Sequence, residues 1–426
     1  MSKVLKGTYN QEAVSGFDHR TAMEEAARCL LCHDAPCSQG CPAGTDPGKF
    51  IRSIRFRNPK GAAETIRENN ILGASCARVC PYDNLCEEAC SRCGIDRPIE
   101  IGKLQRYAME QEKIFKMKIL TPPSKKIKKH VACIGAGPAS LAVAAELAKV
   151  GVKVTVFDNN PKAGGVLSYG ITSARLPQKV VDQDVAAVKG LGVKFELSKE
   201  IGLNIDVNEM LEKKDYDAIF IGTGLWESKK LGIEGEQSLG VVSSIDFLRY
   251  AKDRKGVDFI KGQRVLVIGG GDVAMDCASA AVLSGAASTA IWYRRTIAEA
   301  PAQIAEIEYV TKLGVGITTG YAPTKITGSS DGLWVEFLGR DGKSTANVNV
   351  DCLVTAIGQV PRDHSNFLPG NIDAKGDIIA KKDGSTKIKG VFAAGDIVNG
   401  GKTVVEAVAG GKIAAAEILK YLGVEV

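Results

Sequence analysis

Hydrophobic positions follow different periods in the two parts of this chain. Between residues 46 and 69 the apolar side chains recur at helical spacing, with little of the alternation typical of a strand. Short helices continue to about residue 118, where Pro122, Pro123 and a basic linker follow. Beyond residue 130, short apolar runs are followed by glycine turns and longer helical stretches. The pattern predicts an α-helical N-terminal region and an α/β remainder.

The α/β remainder contains one supersecondary unit twice. A strand, a glycine turn, a helix and a second strand are predicted within residues 131–157, and the same order recurs within 264–293. Two further strands that end in glycine turns, 217–224 and 351–358, also resemble each other. We therefore predict two Rossmann-like dinucleotide-binding domains on mostly parallel sheets, the second inserted in the first.

Composition and charge narrow the classes of function. The 426 residues are 45% hydrophobic and 24% charged, which is ordinary for a soluble globular protein. The net charge of +6 gives no case for nucleic-acid binding but suits anionic dinucleotides. Residues 1–12 are polar, which does not fit a secretory signal, and no apolar run approaches the roughly 20 residues of a membrane span. We expect a cytoplasmic protein, whose clustered cysteines are metal ligands or redox groups.

Eight cysteines fall in two runs, each with one Cys–Pro step. In two-cluster ferredoxins the cysteine before proline ligates the other cluster. The same logic assigns one cluster to Cys29, Cys32, Cys37 and Cys90, and a second to Cys41, Cys80, Cys86 and one further ligand. That ligand is Cys76 or a residue other than cysteine, and Cys93 lies close enough to confuse the assignment. Paired zinc sites are the alternative, but the adjacent redox-type domain favours iron–sulfur clusters.

The first glycine turn comprises Gly135, Ala136, Gly137, Pro138, Ala139 and Ser140. Gly135 permits the tight turn, and Gly137 lets the backbone approach a pyrophosphate at the helix N-terminus. Asp158 ends the next strand, where a carboxylate can bind a ribose hydroxyl. The alternative is a structural loop that binds no phosphate, but the strand, helix and acid together favour a dinucleotide site.

The second glycine turn comprises Gly269, Gly270, Gly271, Asp272, Val273 and Ala274. Its following strand ends in Arg294 and Arg295 instead of an acid. Arginines at this place accommodate the 2′-phosphate of NADP, so we expect NADPH to be slightly favoured over NADH. The alternative is that one arginine stacks on adenine while the other is solvated.

A third candidate segment lies near the C-terminus. A short strand closes on Gly395 and Asp396, and Thr403 precedes a helix. The acid can bind a sugar-like hydroxyl while the helix amides face an electron-rich ring. Gly–Asp turns are common, so this signal is weak by itself. No Cys-x-x-Cys follows residue 93, so the predicted flavin domain lacks a dithiol for disulfide reduction.

The stretch CLLCHDAPCSQGCPAGTDPGKF at residues 29–50 resembles the N-terminal region of dihydropyrimidine dehydrogenases. Similar stretches are IGKLQ at 101–105, the glycine pair at 164–165, RLP at 175–177 and AGD at 394–396, so the resemblance covers nearly the whole chain. The stretch is especially similar to the separate flavoprotein subunit of the bacterial enzymes, in a group that includes the glutamate synthase small subunit. The resemblance implies [4Fe-4S] clusters, FAD and NAD(P)H as cofactors.

The resemblance also implies domains and site residues. It places two [4Fe-4S] clusters in residues 1–120, FAD on 130–235 with 350–426, and NAD(P)H on 236–349. One cluster would have a glutamine ligand, for which the matching residue is Gln105. Gly165, Leu167 and Arg175 are further cofactor-binding candidates, and no catalytic acid–base residue is expected.

The function implied is that of an electron-input subunit. Hydride from NAD(P)H would reach FAD, and single electrons would leave through the clusters. The family's substrate half is an FMN-binding barrel of about 250 residues, for which three predicted domains leave no room. We therefore expect a heterotetramer with an FMN-containing, pyrimidine-reducing partner of the PreA type, acting on uracil or thymine. Alternatives are a glutamate synthase large subunit or a ferredoxin as acceptor, or a non-enzymatic zinc-bound docking module. The bacterial subunits are regarded as NADH-dependent, from which Arg294 and Arg295 depart.

Overall fold

The computed structural model describes residues 8–200, 207–213, 215–254, 260–364, 368 and 370–425. The first seven residues of the polar N-terminal segment lie outside the described residues. The chain divides into two compact units. One contains Ser15–Ser168, Gln178–Leu225 and Pro361–Val426, and the other contains Tyr169–Pro177, Trp226–Val360 and the described part of Met1–Val14.

The N-terminal region is α-helical, as its periodicity predicts. Its elements are α1 (His19–Ala27), α2 (Pro36–Gln39), α3 (Pro47–Arg55), α4 (Pro59–Asn69), α5 (Gly73–Val79) and α6 (Ile101–Ile114), with 3₁₀ turns at Tyr82–Asn84 and Ser91–Gly94. The helical stretch 46–69 is interrupted at Arg57, whose φ is 57°, and Asn58 then caps α4 through the backbone amide of Gly61. The apolar faces of α3 and α4 pack inward through Phe50, Ile54 and Ile66, which are fully buried.

The first Rossmann-like fold completes this unit. Its parallel sheet has the order β15-β4-β1-β2-β3, with β1 (Ile127–Ile134), β2 (Val152–Asp158), β3 (Lys194–Leu197), β4 (Ala218–Ile221) and β15 (Val391–Ala393). Its helices are α7 (Pro138–Lys149), α8 (Val166–Tyr169), α9 (Gln178–Gly190), α10 (Val207–Glu212), α14 (Asp396–Asn399) and α15 (Val404–Tyr421). Since β15 follows β4 only after the whole second fold, the second fold is inserted in the first.

The second unit repeats the arrangement. Its parallel sheet has the order β6-β13-β7-β8-β9, with β6 (Val241–Ser243), β7 (Arg264–Ile268), β8 (Ser288–Tyr293), β9 (Gly316–Thr319) and β13 (Cys352–Thr355). Helices α11 (Ser244–Asp253), α12 (Asp272–Leu283) and α13 (Ile304–Lys312) and a 3₁₀ turn at Ile297–Glu299 accompany it. An antiparallel sheet of β10 (Tyr321–Ser329), β11 (Gly332–Gly339) and β12 (Thr345–Val350) and a short pair of β5 (Glu227–Ser228) and β14 (Gln359–Val360) were not predicted.

Two segments from elsewhere in the sequence join the second unit. Tyr9 is 3% exposed and packs in the same apolar cluster as Phe247 and Val267. The amide of Ala13 donates to the carbonyl of Ala174 over 2.8 Å, which ties the two segments together. The predicted boundaries of 236–349 for this domain remain a prediction. Among the described residues, no helix combines the length and apolar character that a membrane crossing needs.

Candidate functional site

The structure brings four of the cysteines together around one pocket in the helical region. Its lining includes Cys29, Cys32, Cys37 and Cys90, together with the aliphatic side chains of Ile51, Ile99 and Ile101. We call these four cysteines the outer group. All four are half-buried. Burial raises the pKa of the Cys37 thiol to about 11, and its neighbours Cys90 and Cys29 add to the shift. Thiols crowded in this way become thiolates when a metal centre binds, which fits a four-ligand cluster site.

Ion pairs fix the loops of the outer group. The buried carboxylate of Glu25 accepts hydrogen bonds from Arg28 at 2.5 Å and Arg97 at 3.0 Å, and from the amide of Glu100 at 2.9 Å. Arg92 donates to the carbonyl of Arg28 over 2.8 Å, next to Cys29. The cysteine-bearing loop is therefore held by partly exposed arginines around one buried carboxylate.

The other four cysteines also lie close together. We call Cys41, Cys76, Cys80 and Cys86 the inner group, because the first, second and fourth of them all act on the ionisation of Cys80. The pKa of the Cys80 thiol is raised well above its usual value by a hydrogen bond with the Cys76 side chain, by burial, and by Cys86 and Cys41. Burial also raises the pKa of Cys86 far above its usual value, further than it raises the pKa of Cys37 in the outer group.

Two residues compete for the place of eighth ligand. Cys76 is buried and its sulfur lies beside that of Cys80. Gln105 is also buried, and its Nε2 donates to the carbonyl of Gly73 over 2.8 Å. With the amide oriented in this way, no described residue bonds to its Oε1, and that oxygen is the atom that would ligate iron. The cysteine spacing alone could not separate these two candidates.

A buried ion network holds the helix of the inner group. Arg67 pairs with Glu112 at 2.7 Å and with Asp184 of α9 at 2.6 Å, and it is 1% exposed. Asp184 in turn accepts from the amide of Ser75 at 2.8 Å, in the first turn of α5. Since α5 carries Cys76 and Cys80 follows it directly, this network connects the inner group to the Rossmann-like fold.

Lys412 makes a second link of this kind. Its Nζ, on α15, donates to the carbonyls of Ala43 at 2.6 Å and Asn69 at 2.8 Å. Burial lowers the pKa of Lys412, while Glu146 and the nearby Cys41 act in the opposite direction. The loop after Cys41 is thus held by a cation that the sequence analysis did not single out.

The first glycine turn has the shape of a phosphate cradle. Gly135 has a φ of 92°, and a Cβ there would lie 2.5 Å from the carbonyl of Gly222. A Cβ at Gly137 would meet nothing closer than 3.8 Å, and Gly137 offers no side chain to cap α7. The helix N-terminus is therefore open to an anion. The buried hydroxyl of Ser140 has no hydrogen-bond partner among the described residues, which fits a site built for a bound group.

Residues around the turn complete this candidate FAD site. Asp158 accepts from the amides of Ala136 and Asn160, both at 2.7 Å, and burial raises its pKa. Its carboxylate thus already holds the turn, a role that the sequence analysis did not foresee. Gly165 approaches Gly137 so closely that a Cβ would lie 2.7 Å from the latter's Cα, and Leu167 is fully buried beneath.

The C-terminal segment places a carboxylate with one unbonded oxygen on the first Rossmann-like fold. Oδ1 of Asp396 accepts a hydrogen bond from the amide of Lys402 at 3.2 Å, and no described residue bonds to its Oδ2. Burial raises the pKa of Asp396. Thr403 and Glu406 form a capping box at the start of α15. These residues fit the binding of a polyhydroxyl group, although Thr403 is already engaged as the helix cap.

The second glycine turn repeats the cradle. A Cβ at Gly269 would lie 2.3 Å from the carbonyl of Ala356, whereas one at Gly271 would meet nothing nearer than 3.7 Å. Asp272 accepts from the backbone and side chain of Gln303 at 2.8 and 2.9 Å. Val273 and Ala274 follow in α12, with Ala274 fully buried. The open N-terminus of α12 fits a nicotinamide dinucleotide.

The three predicted cofactor-binding arginines have contrasting surroundings. Arg175 is enclosed by the carboxylates of Asp276 at 3.1 Å, Glu306 at 3.0 Å and Asp272 at 3.6 Å. The pKa of Glu306 is raised to about 7 by burial, against the opposing effect of Arg175. Arg294 and Arg295 are exposed, and neither guanidinium has a partner in the described part of the chain. Both are therefore available to a ligand phosphate, whereas Arg175 is committed to the protein.

Family models match both parts of the chain. Residues 6–117 match "Dihydropyrimidine dehydrogenase domain II, 4Fe-4S cluster", and residues 129–411 match "Pyridine nucleotide-disulphide oxidoreductase". The NAD-dependent dihydropyrimidine dehydrogenase subunit PreT homolog of Salmonella typhi is 44% identical over 97% of both chains. PreT of Escherichia coli K12 is 42% identical over the same shares. The chain belongs to the PreT family.

More distant relatives share the architecture. The glutamate synthase [NADPH] small chain of Escherichia coli K12 is 32% identical over 97% of this chain and 94% of its own. FprA of Mycobacterium tuberculosis covers 69% of this chain and 85% of its own, with a TM-score of 0.59 at 17% identity. Lactococcus lactis thioredoxin reductase covers 70% and 99%, with a TM-score of 0.56 at 23% identity. These structures confirm the predicted fold class, and the family confirms the resemblance found in the sequence.

Proposed function

We propose that this chain is the electron-input subunit of a dihydropyrimidine dehydrogenase. It would oxidise NAD(P)H and pass electrons singly to an FMN-containing, PreA-type partner that reduces uracil or thymine. One observation supports the proposal: two groups of four candidate ligands and an open glycine turn belong to the same compact unit. The pyrimidine chemistry itself would belong to the partner subunit.

The two glycine turns and Asp396 would bind the two dinucleotide cofactors. Bound FAD accepts a hydride and can release single electrons, which the clusters require. Gly135, Gly137 and the α7 amides would hold its pyrophosphate, and Asp396 would bind its polyhydroxyl chain. Gly269, Gly271 and the α12 amides would hold NAD(P)H.

Two [4Fe-4S] clusters are the proposed metal centres. The outer group would hold one, and Cys41, Cys80, Cys86 and Gln105 the other. The match to a 4Fe-4S family model and the two Cys–Pro steps support iron–sulfur clusters over the zinc alternative, in which the protein would only dock to others.

The experiment is anaerobic purification with the natural partner, followed by uracil-dependent oxidation of NADH and NADPH in parallel. Turnover with uracil would support the proposal. A complex that oxidises nucleotide with dyes but ignores uracil would retain electron input and discard the pyrimidine role, which would favour a glutamate synthase or ferredoxin acceptor.

The same assay tests the nucleotide preference. PreT relatives are named NAD-dependent, whereas the glutamate synthase small chain is named for NADPH. We propose that Arg294 and Arg295 bind a 2′-phosphate, so replacing both with alanine should raise KM for NADPH about tenfold or more and leave NADH nearly unchanged. Lys312→Ala, which removes an exposed lysine from α13, is the matched control.

A further inference from the structure

An exposed aromatic residue near the outer group is flanked in sequence by three arginines that pair with no carboxylate in the described part of the chain. Phe56, directly after α3, is 69% exposed. Arg52, Arg55 and Arg57 around it are also exposed, and none pairs with a carboxylate in the described part of the chain. We call these four residues, together with Leu30, the Phe56 patch.

The patch is connected to the outer group by direct contact. Arg55 donates from Nη1 to the carbonyl of Cys29 over 3.2 Å. Leu30, the next residue, is 47% exposed and also lines the pocket of the outer group. The arginine side chain therefore joins the surface of α3 to the loop that carries two of the four candidate cluster ligands.

A purely local explanation accounts for only part of the patch. Basic residues at the end of a helix are stabilised by its dipole, which suits Arg52 and Arg55 at the C-terminus of α3. It accounts neither for the exposed Phe56 nor for the absence of acidic partners. The nearby Lys49 and Lys60 do have such partners, Glu68 and Glu64. A single exposed apolar residue is common, but an exposed aromatic residue flanked in sequence by arginines without a carboxylate partner in the described part of the chain is of the kind enriched at interface centres.

We propose that the Phe56 patch is the docking surface for an acidic face of the FMN-containing acceptor subunit. The inference rests on the proposed function, because it requires electrons to leave this chain through the outer group. Phe56 and Leu30 would be buried in the contact, while the arginines would steer the acidic partner and fix its orientation beside the cluster. The charge on the patch excludes a basic partner surface.

The test compares charge reversal and loss of the aromatic ring in the full, cluster-loaded chain. One variant is Arg52→Glu with Arg57→Glu, and another is Phe56→Ser. The control is Lys382→Glu with Lys389→Glu, which changes the net charge equally at two exposed positions of the same unit. Binding to the purified FMN subunit is measured at low and high ionic strength, beside uracil-dependent turnover and dye reduction.

We expect the arginine variant to bind the partner about tenfold or more weakly at low salt, with a flatter salt dependence than the wild type. Phe56→Ser should weaken binding at both salt concentrations. Dye reduction with NAD(P)H should stay unchanged in all variants, since neither nucleotide nor cluster is touched. If charge reversal disturbs the cluster spectrum, the Phe56→Ser variant alone tests whether the patch binds the partner. This variant leaves every charge and the Arg55 contact unchanged.

The outcomes separate the docking surface from the function. Equal affinity of both patch variants and the wild type would overturn the docking inference while uracil turnover still supported the proposed function. A wild-type chain that binds the FMN subunit through the patch without uracil turnover would reject the function and retain the surface. Failure of the wild type to bind that subunit, or equal weakening in the lysine control, would also overturn the inference.

Discussion

The two cysteine groups of the helical region are held in different ways. The outer group lies on loops fixed by partly exposed ion pairs around the buried Glu25, such as Arg28 with Asp96, whose side chains are 22% and 43% exposed. The inner group lies at the end of α5, which is capped by Asp184 through a network in which Arg67 and Asp184 are almost wholly buried. The side chains that support the two sets of candidate ligands are thus buried to different degrees.

This difference suggests unlike tasks for the two groups. A buried, strongly paired framework keeps geometry constant and excludes water, which suits a group that receives electrons inside the unit. Half-exposed loops allow a partner to approach, which suits a group that passes electrons out. The difference between the two cysteine groups can be tested by replacing the candidate ligands, the ion pairs that support them, and the charged residue near the inner group.

Replacing single ligands should have the largest effect. Cys37→Ala should lose the outer cluster and retain the inner one, and Cys80→Ala should do the reverse, so each variant should keep about four iron atoms per chain. Iron analysis and electron paramagnetic resonance of the reduced protein measure this. Cys93→Ala, an exposed cysteine outside both groups, is the control and should keep all the iron. Loss of both clusters in Cys37→Ala would mean that the groups do not fold independently.

The inner framework should be the more costly to break. Arg67→Met leaves Asp184 and Glu112 buried without their partner, which should lower the free energy of unfolding of this unit by about 3–5 kcal/mol. Denaturant unfolding under anaerobic conditions measures the change. Lys60→Met, on the exposed face of the same helix, should cost less than about 0.5 kcal/mol. If the two variants lost similar free energies of unfolding, the buried Arg67 network would contribute no more to stability than an exposed ion pair.

The fold was predictable where signals are local. The two Rossmann-like folds could be predicted from the glycine turns at Gly135 and Gly269 and from the strands beside them. A tight turn and an apolar strand each depend on residues that are adjacent in the sequence. The sheet of β10–β12 was missed although β11 alternates buried Leu333, Val335 and Phe337 with exposed positions. That period-two pattern was available in the sequence.

The parts of the site that escaped prediction depend on distant pairs. Arg67 meets Asp184 across 117 residues, and Lys412 meets Ala43 across 369. The neighbouring sequence does not show that a charged residue belongs to such a buried pair, because a residue of the same type is usually exposed to solvent. Arg175 was singled out for cofactor binding by resemblance, yet its partners Asp276 and Glu306 could be identified only after folding. Its predicted role remains a prediction.

The eighth ligand gives a sharper comparison between two neighbouring residues. Gln105→Ala should alter the electron paramagnetic resonance signal of the inner cluster and make that cluster less stable, because Oε1 of Gln105 would be its fourth ligand. The outer cluster should not change. Cys76→Ala should keep the full iron content and shift the signal slightly, since its thiol lies beside the ligand Cys80 without binding iron. The opposite pattern would make Cys76 the ligand. The outer cluster serves as the internal control in both variants.

Lys412 should have the smallest effect and tests whether charge or packing links α15 to the inner group. A cation near Cys41 favours the reduced, more negative state of a cluster, so Lys412→Gln should lower the reduction potential of the inner cluster and leave the outer one unchanged. It should also cost about 1–3 kcal/mol of stability, because the carbonyls of Ala43 and Asn69 lose their donor.

Lys412→Arg separates the two contributions, because it keeps the charge while changing the shape of the donor. If the charge matters, potentiometric titration should give the arginine variant a potential close to that of the wild type, even if its stability falls. Lys420→Gln, an exposed change on the same helix, should alter neither quantity. Equal potentials in the glutamine and arginine variants would leave Lys412 a packing residue only. The inner group would then differ from the outer in its framework alone, and not in the charge that surrounds it.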